Sequence, residues 1–109
     1  MLTVKELCEK KGYEVLCMPQ PDKEVKGGYA GDLLSWVMGS AEAGDAWVTI
    51  MSNLNIIAVA TLADVACIIL SEGVELDEGV LESAIERGVN IFASTKDTFA
   101  LCAEISALV

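Results

Sequence analysis

Apolar positions along this chain come in runs whose spacing switches between two and three-to-four, with glycines and capping residues between them. Thr3-Val4-Lys5-Glu6 has the form of a capping box, in which hydroxyl and carboxylate satisfy the free amides of a helix start. Val4, Leu7 and Cys8 then share one face, and Gly12 suits the stop. "YEVLCM", 13–18, alternates and predicts a strand. "PQPDKEVKGG", 19–28, predicts an exposed loop, of a length that in compact domains is often functional. Asp32 is placed to cap a short helix carrying Leu33, Leu34, Val37 and Met38 and ended by Gly39. "AWVTIM", 46–51, predicts a strand, and Ser52 or Asn53 caps a helix with Leu54, Ile57, Ala58 and Leu62 on its apolar side. "VACIIL", 65–70, lacks alternation, as a strand covered on both faces does. Asp77 is placed to cap a helix striped by Val80, Leu81, Ala84 and Ile85 and closed by Gly88. "VNIFA", 89–93, predicts another buried strand. Ser94-Thr95-Lys96-Asp97 resembles a second capping box, after which Phe99, Leu101, Cys102, Ile105 and Leu108 line the inner face of a last helix.

Strands and helices alternating at this spacing predict βαβ crossovers. The expected fold is α/β: a mainly parallel sheet of about four to five strands with helices on both faces, in three layers. The 109 residues provide for one domain, 1–109.

Composition adds two things. The chain is 53% hydrophobic with mean hydropathy +0.48, so a small domain is expected to leave apolar surface outside its core. Such surface usually marks a partner, and a homodimer is the expected form. Net charge is −10, and residues 29–109 supply all of it, with Arg87 and Lys96 set against twelve acids. That surface disfavours nucleic acid and anionic membranes, which both need cations. Between Trp47 and Leu70 the one charge is Asp64. The polar break "MSNLN" and the lack of flanking Lys or Arg still argue against a membrane span. Charges near the N-terminus interrupt any signal-peptide pattern, so cytoplasm is the expected location.

The four cysteines, Cys8, Cys17, Cys67 and Cys102, form no C-x-x-C pair, and histidine is absent. The spacing therefore matches no zinc or iron–sulfur pattern, and the thiols are expected to pack in the core. No cofactor is expected. Acid–base catalysis would need a histidine or converging carboxylates, whereas Glu75, Asp77, Glu78, Glu82 and Glu86 read as a solvated helix face.

The segments "GGYAGDLLSWVMG", "GDAWVTIMSNLNIIAVA", "VACIILSEGVELDEGVLESAIERGVNIFAS" and "TKDTFALCAEI" together resemble the DRTGG domain family from about Gly27 onward. The resemblance implies an α/β domain related to the N-terminal domain of HPr kinase/phosphorylase. It also implies a regulatory or assembly module, found in relatives beside phosphotransacetylases, CBS domains and regulated pyrophosphatases. Some small relatives carry hydrogenase-associated, iron–sulfur or serine-kinase labels. The cysteine spacing here does not support a bound cluster, and no G-x-x-x-x-G-K-[ST] loop supports phosphoryl transfer. The family's name-giving motif would follow the strand at 46–51, where this chain reads "SNLN" without Asp-Arg.

Three places carry candidate chemistry. Gly27, Gly28 and Gly31 precede a helix, but Asp32 would take the end an anion needs, so they read as a loop or hinge. Ser94, Thr95 and Lys96 follow a buried strand, where parallel sheets often place ligands; capping alone explains the two hydroxyls equally well. Ser52, Asn53 and Asn55 stand at the equivalent junction one unit earlier. The leading expectation is a non-catalytic regulatory or scaffolding domain that senses a small anion such as a nucleotide and acts through a partner protein. The rivals are a small enzyme acting on a phosphorylated metabolite and an accessory subunit of a redox complex.

Overall fold

In the computed structural model, which describes residues 1–109, Thr3 opens helix α1 (Val4–Lys11) as its sequence predicts. Its Oγ1 accepts from the Glu6 amide at 3.1 Å, and Glu6 Oε1 accepts from the Thr3 amide at 2.9 Å. Gly12 ends the helix in the left-handed region, where the missing Cβ removes the penalty. The chain continues through β1 (Glu14–Cys17), β2 (Gly27–Ala30), α2 (Leu34–Ser40), β3 (Asp45–Thr49) and α3 (Asn55–Ala63). It ends with β4 (Cys67–Leu70), α4 (Val80–Arg87), β5 (Ile91–Ala93) and α5 (Thr98–Ser106).

The strands form one sheet in the order β1-β5-β4-β3-β2. Strands β2 to β5 are parallel, and β1 runs antiparallel along β5. Pleating sends alternate residues of β3, β4 and β5 to opposite faces. Trp47, Ile68, Leu70 and Ile91 pack under α2, α3 and α4 through Val37, Ile56, Ile57, Val80 and Ala84. Ala46, Val48, Cys67, Ile69 and Phe92 pack against α1 and α5 through Val4, Leu7, Leu101 and Ile105. The result is the expected three-layer α/β architecture. β3 and β4 are buried along their whole length, which explains why their sequences do not alternate.

Five local readings are corrected. Gly27 and Gly28 are not a loop or hinge; they are the first half of β2, paired with Asp45 and Ala46. Both are closely approached: a Cβ on Gly27 would stand 2.9 Å from Asp45 Oδ1, and one on Gly28 would stand 3.3 Å from Ile105 Cγ2, so in each case the neighbour would have to give way. Gly31 follows the strand, and its carbonyl accepts from Trp47 Nε1 at 2.9 Å. Asp32 does not cap α2; its Oδ1 accepts from Thr49 Oγ1 at 2.8 Å and from the Ile50 amide at 2.9 Å, tying β2 to β3. Asp77 does not cap α4, which begins only after Gly79 in the left-handed region. The last capping box is reduced to Asp97, whose Oδ1 accepts from the Ala100 amide at 2.7 Å. Phe99 then points outward, 85% exposed, while Leu101 and Ile105 face the sheet.

No helix is long and apolar enough to cross a membrane. The run from Trp47 to Leu70 divides into β3, α3 and β4.

Candidate functional site

Ser94, Thr95 and Lys96 leave the C-terminal end of β5 and line a cleft of about 500 Å³. Its other walls are the α1–β1 corner, Lys11 to Glu14, and the turn Gly73 to Glu75 that follows β4. The turn is held by unusual backbone geometry: Glu72 and Gly73 both have positive φ, 63° and 72°. That conformation aims the Glu72 amide at the Lys96 carbonyl (2.8 Å) and the Gly73 amide at the Ser94 carbonyl (3.0 Å). Glu72 Oε2 also accepts from the Thr98 amide at 3.4 Å. Ser94 Oγ accepts from the Lys96 amide at 3.1 Å. The floor of the cleft is thus fixed by its own hydrogen bonds.

Lys96 brings a cation to the cleft. Its Nζ lies 2.6 Å from Glu104 Oε2, with half of the lysine side chain exposed. The Tyr13 hydroxyl donates to the other oxygen, Glu104 Oε1, at 3.4 Å. Lys11 adds a second cation to the lining, while Glu14 and Glu75 add negative charge. Glu104 and Tyr13 were not legible as site residues, because only the fold brings α5 and the end of α1 to the same place. Sequence offered one signal: Lys96 is one of two cations after residue 28.

Ser52, Asn53 and Asn55 do not join this cleft. Ser52 Oγ donates to Asp77 Oδ1 at 3.4 Å, and Asn53 Oδ1 accepts from the Asn55 amide at 2.9 Å. Strand β4 separates the end of β3 from the end of β5. The rule that favours strand-end crevices requires a reversal in strand order. Here β2, β3, β4 and β5 are adjacent in chain order, and all three connecting helices cover one face. Strand order never reverses between parallel neighbours, so Ser94–Lys96 owes its cleft to the α1–β1 corner instead. Gly27, Gly28 and Gly31 lie at the opposite edge of the sheet.

Cys8, Cys17 and Cys67 are buried and Cys102 is half-buried. No three His, Cys, Asp or Glu side chains come together in a way that could hold a metal ion. Burial pushes all four thiols up, Cys67 to about 12. Burial, reinforced by Glu104, also pushes the Tyr13 hydroxyl well above its ordinary range. These groups keep protons in the folded state that the unfolded chain releases above about pH 9. The unfolded state then binds fewer protons, so stability is retained below that pH and falls as pH rises beyond it. Urea midpoints measured from neutral to strongly alkaline buffer should decline, and Tyr13→Phe should flatten part of the decline. A midpoint independent of alkaline pH would contradict this burial.

A singly wound α/β domain with a mixed-charge cleft is the class of protein these features define. The family model of the DRTGG domain matches residues 33–108, and the chain belongs to that family. Among solved structures, the fold is similar to the CBS and DRTGG domains of the regulatory region of Clostridium perfringens pyrophosphatase, complexed with the activator diadenosine tetraphosphate. The TM-score is 0.73 at 14% identity, and the likeness covers 92% of this chain and 44% of that one. The chain thus spans less than half of that regulatory region. No curated protein matches it in sequence.

Proposed function

We propose that this DRTGG domain is a non-catalytic regulatory module that takes a small anion, such as a nucleotide, in the cleft beside Lys96 and acts through a partner protein. The observation that carries the reading is the arrangement of Lys96, Glu104 and Tyr13 at that cleft. An anion entering it competes with Glu104 for the lysine. Glu104 is then left with the Tyr13 hydroxyl alone, and the tie between α5 and the start of β1 loosens. Binding is thereby converted into a change in how α5 is held. The similar fold in a regulatory region complexed with a dinucleotide activator supports a nucleotide as the ligand class.

Thermal unfolding in the presence of mononucleotides, diadenosine polyphosphates and inorganic phosphate tests this. A ligand at ~100 times its Kd stabilises by about 2.7 kcal/mol, a rise of roughly 10 °C for a domain of this size. Lys96→Ala should abolish the rise. Glu104→Gln should tighten binding by up to roughly fivefold, because a half-exposed ion pair competes only weakly. The reading fails if none of these anions shifts the melt, or if Lys96→Ala leaves the shift intact.

A further inference from the structure

The helix layer holds a feature that the cleft does not use. Helix α3 is the central member of the α2–α3–α4 layer, and a central helix exposed to water normally carries charge on its outer face. This one carries none: Leu54, at its N-terminal boundary, and Ala58 and Leu62 form a stripe four residues apart, flanked by Asn55 and Thr61. Leu54 is 56% exposed and Leu62 is 71% exposed. The stripe continues onto neighbouring elements. Asp32 draws Ile50 towards the start of α2 by accepting from its amide, and Leu33 and Trp36 of that region are 62% and 67% exposed.

We propose that a second copy of this chain covers this face, with α3 packed antiparallel on α3 about a two-fold axis at Ala58. Leu54 of one copy then meets Leu62 of the other, and each contact occurs twice, as a two-fold interface requires. Ala58, small and central, lets the two helices approach closely. Area is the first argument for a second copy. The exposed parts of Leu33, Trp36, Ile50, Leu54 and Leu62 amount to roughly 500–600 Å² per copy, taking about 150–250 Å² for each large side chain. That is most of the ~800 Å² per partner found in stable interfaces. Charge is the second. The chain carries −10 overall, yet residues 33–41 and 46–63 contain no charged side chain. Two acidic copies can meet along α2 and α3 without opposing carboxylates. The same two-fold sets uncharged α2 opposite its own copy on one side of α3, and sets α4, with exposed Glu82 and Glu86, opposite its own copy on the far rim. The proposal does not depend on the ligand at Lys96.

Sedimentation across a wide dilution series tests it on the full chain. Wild type should be a dimer that dissociates on dilution. Ala58→Glu should weaken association by ~100-fold or more, because two desolvated carboxylates would face each other. Its thermal unfolding, followed in dilute solution, should stay that of the wild-type monomer, since residue 58 is exposed. Leu62→Lys gives an independent check should the first variant fold poorly. Ala58→Cys should cross-link to its own copy on mild oxidation, whereas Leu54→Cys and Leu62→Cys should cross-link only when mixed. A monomeric wild type overturns the proposal and points to a different protein on this face. A dimer that survives both Ala58→Glu and Leu62→Lys places its interface elsewhere and overturns it too.

Discussion

Asn90→Asp is expected to destabilise the protein by about 3–5 kcal/mol at neutral pH, the range found when a buried polar network is left with an unpaired charge. Asn90 is 1% exposed and holds three partners at once. Its Nδ2 donates to the Gln20 carbonyl at 2.9 Å and to the Ala66 carbonyl at 3.0 Å, while Oδ1 accepts from the Gln20 amide at 2.9 Å. This one side chain pins the segment after β1 to the entrances of β4 and β5. A carboxylate keeps the acceptor, loses both donors, and sets negative charge against two carbonyl oxygens. Its pKa in the fold is therefore raised above the unfolded value of about 3.9. For an acid shifted that way, the folded state is least harmed below the unfolded pKa, where the carboxyl is protonated and can donate once. The loss grows as pH rises through the interval between the two values. Urea unfolding of wild type and variant, at acid and at neutral pH, should give a difference that widens with pH. A difference that stays constant would show that water reaches the site.

Trp47→Ala should cost about 3–5 kcal/mol, as full truncation of a buried aromatic does. Trp47 is wholly buried beneath α2 and α3 and is among the largest enclosed side chains. Its indole nitrogen also satisfies the Gly31 carbonyl, so alanine leaves both a void and an orphaned acceptor where β2 turns towards α2. Trp47→Phe fills most of the void and should cost only about 1–2 kcal/mol, largely the lost hydrogen bond. Urea midpoints rank the three proteins. Equal losses for Phe and Ala would mean that the hydrogen bond, rather than packing, holds this corner.

What the sequence could reveal followed the range of each interaction. Capping at Thr3, left-handed stops at Gly12 and Gly88, and the unbroken apolar run of β4 are local, and each was legible. β2 was not. Glycine disfavours strands, and the residues that Gly27-Gly28 pairs with, Asp45 and Ala46, are distant in sequence, as is Ile105 above it. Asp32 and Asp77 looked like caps because carboxylates before apolar stripes usually are. Asp32 instead serves the end of β3, a long-range partner that no spacing encodes. Phe99 was assigned inward by apolarity alone, and apolar residues are often exposed. At the cleft, Ser94, Thr95 and Lys96 were found by their position after a buried strand. Ser52, Asn53 and Asn55 were grouped with them because strand order cannot be read from the chain, and β4 intervenes.

The return of α5 across the sheet has a consequence for how the molecule is made. α5 lies over β2 and β3, and its Ile105 rests on Gly28, so an element made after every strand covers the first of the parallel strands. Strands β2 to β5 can pair and gain α2, α3 and α4 as they emerge. Their opposite face, with Ala46, Val48 and Ile69, has α1 alone to cover it until α5 follows. The half-made chain is therefore a sheet with one side only partly covered, the kind of apolar surface that invites misassembly and that chaperones shield. Completion comes in one late step, when a short helix closes the face that synthesis had left open.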